Sequence, residues 1–577
     1  MPANNLYEAF SATESQFGSK QAIRFIEEMD QVEPGLLWTY TDLFRQIRGA
    51  ANLFHRCGIN ELASVALMVP NIPYGQVALF GAELAGRALP VNPLLHDDHI
   101  VSLLEAANAK VLVFSGDLKR AVAIQSKVPS LQHIFSLDGG EQCFAAAIAR
   151  HDKDKLTFHR RTDPDTVVAT FHTGGTTGTP KLVKHQQSNQ LAVAYSLGDH
   201  AGIAANDVIV NGLPLFHVAG SLCFALTAIA SGACQVLCTG LGARHPEFIS
   251  KHWIMIENQK VTVMGGVPTT IGALVPTIPP TPPATLKKII TGGAALPISV
   301  EAALNKKLSI DLFVIYGMTE CAGLLAIKRQ GCKVPPGWIG PAAQDMEIRI
   351  VSNPEALEKS ILPPMVSGHV IAKGAPVSPG YTNAALNTET FTNDGWFITG
   401  DLGMLDASGN LELTGRAKDL IIRSGHNIDP ALIEEAAMKH PSVQAAAAVG
   451  APDAYAGELP VLYVVADPHL TKIDYDTVLE LIRQHVERPA VPKWIEELDA
   501  LPLTAVGKIY KPALIARAIE RALNGLLPAQ KREAISVSAK EQDGIPLVEF
   551  VAKENERQYI DDLMAPFTVT YRVSNAD

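Results

Sequence analysis

TVVATFHTGGTTGTPK, from Thr166 to Lys181, begins as an apolar strand and ends in a loop of glycines, threonines and a lysine. Gly174, Gly175 and Gly178 permit positive φ and a close backbone approach. Thr173, Thr176, Thr177 and Thr179 supply hydroxyl donors, and Lys181 a positive charge. A strand running into such a loop is what a β/γ-phosphate cradle requires. It is not a Walker loop, because Gly-Lys-Ser/Thr occurs nowhere in the chain. Taken alone, the segment also suits a flexible surface turn.

Working outward, apolar strands alternate with amphipathic helices on both sides of that loop. VALMVP (65–70) precedes a helix near 73–87, and AKVLVFS (109–115) follows another. DVIVNGLP (207–214), CQVLCTG (234–240), VTVMGG (261–266), KKIITGG (287–293) and DLFVIYG (311–317) continue the pattern. Strands with helices between them imply parallel sheets covered on both faces, with ligands at the strand ends. After about residue 340 the texture changes to shorter strands, EIRIVS, GHVIAKG, GWFITGDLG and GNLELTGR, which read as a small antiparallel region. Another α/β block follows, with VQAAAAVGAPD, PVLYVVA and a helix around 476–487. The tail carries ISVSA, PLVEFVA, a helix around 554–564 and FTVTYRVS, and reads as folded. The expected class is α/β: a large N-terminal domain of parallel-sheet subdomains plus the antiparallel region (1–416), a small mobile C-terminal domain (417–525) and an extension (526–577).

At 577 residues, 47% of them apolar, the chain is too long for one core and well able to bury several. Its net charge of −11 lacks the basic footprint of a nucleic-acid binder, so any polyanionic ligand must be met locally. The first residues show no basic segment followed by an apolar run, so no signal peptide is read. Residues 218–238 are interrupted by Gly220, Ser221, Ser231 and Gly232 and read as a buried helix followed by a strand, not a membrane span. Seven cysteines, an odd number, suggest a reducing compartment, the cytosol. HDDH (96–99) has metal-ligand residue types but opens a helix, and Cys234 and Cys238 lie too far apart along a strand to chelate zinc readily. No GxSxG elbow exists for a nucleophilic serine.

Seven segments together resemble the adenylate-forming superfamily of acyl-CoA synthetases, firefly luciferase and peptide-synthetase adenylation domains. They are HTGGTTGTPK (172–181), LPLFHVAG (213–220), TGGAALP (291–297), YGMTE (316–320), GWFITGD (395–401), GRAKDLIIRSG (415–425) and PLTAVGK (502–508), in the family's order. Departures are small: Leu182 stands where glycine is usual, His369 replaces a common Glu, and residues beyond about 525 have no familiar counterpart.

The resemblance implies a role for each motif. Thr173 to Gly178 and Lys181 hold the phosphates; Gly293, Ala294 and Ala295 receive adenine, with Tyr316 and Gly317 packed beside it. Thr319 donates to the α-phosphate, and Glu320 carries Mg²⁺, since an acid beside a triphosphate repels it unless a cation intervenes. Asp401 accepts from the ribose hydroxyls, Arg416 contacts ribose or phosphate, and Lys508 contacts the acyl carboxylate and α-phosphate where charge develops. Lys418 is the implied hinge of a domain rotation, and Gly425 faces the pantetheine arm. Phe216, His217, Gly265, Gly266 and Val267 line the acyl pocket, with the two glycines leaving room for an extended chain. Plainer readings stay open for single motifs: a helix start at Thr319–Glu320, a tight turn at Gly292–Ala294, a surface ion pair between Asp401 and Arg416, a solvated Lys418, a core histidine at His217.

The set implies an ATP-dependent carboxylic acid:CoA ligase using ATP, Mg²⁺ and coenzyme A, with a medium- or long-chain fatty acid as substrate. Its rivals are an enzyme that loads a free-standing carrier protein and a non-catalytic nucleotide-binding protein on the same fold. Loose membrane association and a homodimer remain open.

Overall fold

The computed structural model describes all residues except 1–2, 160, 174–180, 357–359, 417–418, 425, 468–469, 471–472, 506, 543–544, 568 and 576–577. Two large sheets dominate the N-terminal part. One has seven strands in the order Asp311–Ile315, Lys288–Gly292, Val263–Gly266, Val208–Val210, Cys234–Cys238, Gln21–Ile26 and Leu36–Thr39, parallel except at the last edge. The other has six, His133–Ser136, Ala109–Phe114, Ser64–Met68, Arg87–Pro90, Val167–His172 and Leu182–Gln186, again with one antiparallel edge. Central strands such as Val263–Gly266 and Ser64–Met68 are buried along their whole length, as expected when helices cover both faces. The chain that leaves Val167–His172 returns as an antiparallel partner, Leu182–Gln186, so the Gly-rich loop connects a hairpin and not a strand to a helix.

The two sheets are joined by a buried polar network. Gln76 Nε2, on the helix Pro73–Ala85, donates to Asn71 Oδ1 and to Gln235 Oε1, both at 3.0 Å, and Asn71 in turn donates to the carbonyl of Leu213 at 2.8 Å. A satisfied network inside a core fixes one relative placement of its elements, because any slip leaves a buried amide unpaired. Residues 219–226 form a π-helix, wider than the α-helix the composition suggests, and lead through a short helix into strand Cys234–Cys238. Among the described residues no helix is long and apolar enough to cross a membrane.

The four segments after residue 340 form an antiparallel sheet, Met346–Val351, Gly368–Gly374, Phe397–Leu405 and Leu411–Arg416. A five-stranded sheet built mainly on the pairing of Val443–Asp453 with Gly457–Ala466 follows as the C-terminal small domain. Its strands are largely antiparallel, since a two-segment hairpin needs no crossover helix. The helix Lys511–Leu526 packs Leu514 and Ala518 on Val449, Val461 and Tyr463, and Ile519 and Leu523 on Val537, Val548 and Phe550 of a three-stranded C-terminal sheet. HDDH opens the helix Asp97–Ala106 as expected, with Asp97 paired to Arg120 at 2.8 Å and Asp98 to Lys127 at 2.9 Å.

Between the helices Pro73–Ala85 and Gln187–His200 lies a buried carboxyl group, Glu83, whose Oε1 accepts from Gln190 Nε2 at 2.8 Å. Burial pushes it up to about 8, with the Gln190 bond and Arg161 opposing. The folded state therefore keeps a proton that the unfolded chain has lost, and this stabilising contribution fades as pH rises from about 4.5 toward 8. Glu83→Gln should flatten the fall of the urea midpoint between pH 5 and pH 8; parallel pH slopes for variant and parent would refute this assignment.

Candidate active site

One cleft of about 2260 Å³ opens between the carboxyl ends of the seven-stranded sheet, the antiparallel sheet and the small domain. That is larger than a single small-ligand pocket and suits several ligand groups at once. Parallel strands deliver its floor. Gly293, in positive φ (+85°), turns the chain out of strand Lys288–Gly292 and leads to Ala294 and Ala295. The neighbouring strand Asp311–Ile315 ends at Tyr316 and Gly317, and a side chain at Gly317 would strike the carbonyl of Gly323.

Thr319 and Glu320 then form a single 3₁₀ turn, not the start of an α-helix, and no side chain caps it. The turn closes through Ala322, a non-glycine residue at φ 52°, whose strained backbone needs firm surroundings. Those surroundings are present. His185 Nε2 donates to the Thr319 carbonyl at 2.7 Å, Tyr381 hydroxyl donates to Glu320 Oε1 at 2.7 Å, and Ser378 N–H donates to the Glu320 carbonyl at 2.9 Å. Burial drives His185 down to about 4, so it is neutral when it makes this bond.

Asp401 and Arg416 sit directly opposite each other on adjacent antiparallel strands. Asp401 is 4% exposed; its Oδ1 pairs with Arg416 Nε at 2.9 Å and its Oδ2 accepts from the Tyr316 hydroxyl at 2.6 Å. Burial raises the Asp401 carboxyl above its ordinary range, although Arg416 and the Tyr316 bond oppose this. The surface ion pair left open by the sequence is thus a half-buried one at the cleft wall.

From the other side the small domain inserts Lys508. Its turn is held by the Thr504 hydroxyl on the Lys508 N–H, 3.1 Å, and docked by Thr269 Oγ1 on the Gly507 carbonyl, 2.7 Å. A methyl group at Gly293 would come within 2.9 Å of Lys508 Cε and 3.3 Å of its Nζ. Burial, with Arg416 adding, lowers the Lys508 ammonium, and Asp401 opposes.

Phe216 and His217 line the apolar side of the cleft with Gly266 and Val267. His217 Nδ1 accepts from the Ala219 N–H at 3.2 Å; burial, with Lys508 and His172 nearby, takes it down to about 3. Its neighbour His172 accepts from the Asn92 N–H at Nε2 and lies near 4 through burial. Neither ring carries charge at neutral pH. Gly265 departs from expectation. The ring of Phe224, on the π-helix, fills the space its missing side chain leaves, so Phe224 and not Gly265 lines the cleft there. Of the two glycines, only Gly266 lines the cleft.

Thr173 and Lys181 flank the cleft. Gly174, Gly175, Thr176, Thr177, Gly178 and Thr179 of the loop, the hinge candidate Lys418 and Gly425 lie outside the described residues. Every other residue expected from the sequence, Gly265 excepted, lines this one cleft. Sequence reasoning missed Tyr381, His185 and Phe224; the Gly380–Tyr381 pair at a turn was the one local signal for the first.

Residues 10–382 match the AMP-binding enzyme family, and residues 432–508 the AMP-binding enzyme C-terminal domain. The chain belongs to the AMP-binding enzymes. It is 32% identical over 521 residues to a marinolic acid–CoA ligase of Pseudoalteromonas sp. (strain SANK 73390), covering 85% of this chain and 78% of that one. It is 27% identical over 559 residues to a long-chain-fatty-acid–CoA ligase of Bacillus subtilis (strain 168), covering 90% and 96%. Among solved structures, ATP-bound MatB from Rhodopseudomonas palustris superposes with a TM-score of 0.78 at 25% identity, over 89% of this chain and 98% of that one. The chain is thus an AMP-forming acyl-CoA synthetase.

Because burial keeps His217 and His172 uncharged down to about pH 4, neither supplies a titration near neutrality. His217→Asn should leave the midpoint of the acid limb of the kcat–pH profile unchanged between pH 5.5 and 8; a displaced midpoint would make His217 a proton-transfer group.

Proposed function

We propose that this AMP-binding enzyme activates a medium- or long-chain fatty acid and transfers it to CoA. The observation that carries the reading is Lys508, brought by the small domain against Gly293 in a cleft that also holds Thr319, Glu320 and Asp401. In this reading the acid's carboxylate oxygen attacks the α-phosphorus of ATP, the bond to the bridging oxygen breaks and pyrophosphate leaves. The CoA thiol then attacks the acyl carbon, loses its proton and expels AMP. Attack brings two anions together, and a desolvated ammonium at Lys508 offsets that charge where it develops.

Each cleft residue takes a part. Thr319 donates to the α-phosphate, Thr173 and Lys181 meet the outer phosphates, and Arg416 the ribose or α-phosphate edge. Asp401 accepts from the ribose hydroxyls with lone pairs left after its bonds to Arg416 and Tyr316. Gly293, Ala294, Ala295 and Gly317 give a flat purine access to backbone, with Tyr316 alongside. Glu320 fits a hard cation: Tyr381 occupies Oε1, while Oε2 has no hydrogen-bond partner among the described residues. Bound there, Mg²⁺ would screen the phosphates' charge.

Phe216, Val218, Phe224, Val267 and Pro268 make an apolar wall suited to an alkyl chain, which supports the fatty-acid reading, as does the likeness to the Bacillus subtilis ligase. We divide the chain at 416/417, where the antiparallel sheet ends at Arg416 and the next sheet begins at Ile421, and at 525/526, at the end of the helix Lys511–Leu526 that both C-terminal cores share. Seven unpaired cysteines agree with a cytosolic setting.

Two measurements test the reading. A panel of straight-chain, branched and aromatic acids in pyrophosphate release, with and without CoA, should peak at a straight chain of medium or long length and form thioester only with CoA. A peak at aromatic acids would refute the substrate class, and turnover only with a carrier protein would refute the acceptor. Lys508→Ala should lower acid-dependent ATP–pyrophosphate exchange by 10²-fold or more, on the order of one lost transition-state contact, yet spare thioester formation from supplied acyl-adenylate. Equal loss of both would remove Lys508 from its role.

A further inference from the structure

Glu320 is held at both ends by one segment of chain, residues 378–381. Ser378 N–H donates to its main-chain carbonyl at 2.9 Å, and the Tyr381 hydroxyl donates to its carboxylate Oε1 at 2.7 Å. Tyr381 is 6% exposed, so its ring is fixed by packing and its hydroxyl has little freedom to turn away.

The segment is itself anchored. Lys184 N–H donates to the Gly380 carbonyl at 3.0 Å and Thr382 N–H to the Leu182 carbonyl at 2.8 Å, which adds the segment to the edge of strand Leu182–Gln186. Tyr381 N–H donates to Asn387 Oδ1 at 2.9 Å, and Gly380 suits its place twice over, with a positive φ of 98° and no side chain to crowd Asn387. Strand Leu182–Gln186 begins one residue after Lys181, where the Gly-rich loop ends. The exit of that loop and the carboxylate of Glu320 are thereby referenced to one piece of backbone.

We propose that Tyr381 is a positioning residue for the metal: it holds Oε1 so that Oε2 of Glu320 faces the cation that accompanies the nucleotide. This rests on the reading of Glu320 as the Mg²⁺ ligand. A carboxylate left to rotate presents either oxygen and pays ordering entropy on binding; one locked through its second oxygen does not, and groups in this position commonly carry 10- to 100-fold in metal affinity.

The test is equilibrium binding of α,β-methylene-ATP, which cannot be cleaved at the reacting bond, to the full chain and to Tyr381→Phe by calorimetry, in EDTA and in Mg²⁺. Mn²⁺ occupancy followed by electron paramagnetic resonance gives a second readout. The parent should bind more tightly with metal than without. In Tyr381→Phe the metal-dependent gain should shrink by about tenfold or more, with binding in EDTA unchanged. An undiminished gain overturns the proposal. Equal weakening with and without metal also overturns it, in favour of a purely structural tyrosine. Metal-independent nucleotide binding by the parent would instead overturn the reading of Glu320 itself.

Discussion

A carboxylate taken out of water must find compensation, and at Asp401 it finds two partners from two parts of the fold. The Tyr316 hydroxyl comes from the end of a parallel strand in the seven-stranded sheet, and Arg416 from the next strand of the antiparallel sheet. Losing a partner would leave the buried carboxylate's lost hydration less well compensated. The antiparallel sheet is therefore tied to the mouth of the parallel one by electrostatics as well as by packing. Lys508 approaches the same group from a third direction, and its own ammonium is destabilised by burial until an anion joins it. The arrangement is poised for a negatively charged ligand because one negative and two positive side chains already share the space.

The cleft has two chemical halves. Toward Asp401, Glu320 and Lys181 it is charged; toward Phe216, Val267 and Phe224 it is apolar, and the histidines between them are held neutral by burial. Neutral rings at that boundary keep a competing cation off the apolar side. The π-helix contributes here: it carries Phe224 onto Gly265 and Cys223 against Gly323, the residue just beyond the Thr319–Glu320 turn. The wall of the apolar half and the turn of the charged half are thus in direct contact.

The sequence disclosed much of this because parallel α/β architecture leaves strong local marks. Continuous apolar runs such as VTVMGG and KKIITGG lie in the core sheet, and the glycines that end them lie at its carboxyl edge. The fifteen-residue spacing of Asp401 and Arg416 became a cross-strand pair because a hairpin folds one onto the other. What stayed hidden depends on long-range contacts. Nothing local to His185 announces a bond to Thr319, 134 residues away, and nothing local to Phe224 announces that it fills the space above Gly265. The small-residue pattern at 265–266 signalled close approach correctly, but not whether a ligand or a phenyl ring would do the approaching.

The helix Lys511–Leu526 is common property of two cores, one on each of its faces. Residues 526–577 are consequently no appendage: without them Ile519 and Leu523 would lie bare to water along a whole stripe of that helix. Were the small domain to rotate, this C-terminal module would travel with it as ballast, enlarging the volume swept and the surface offered to neighbours.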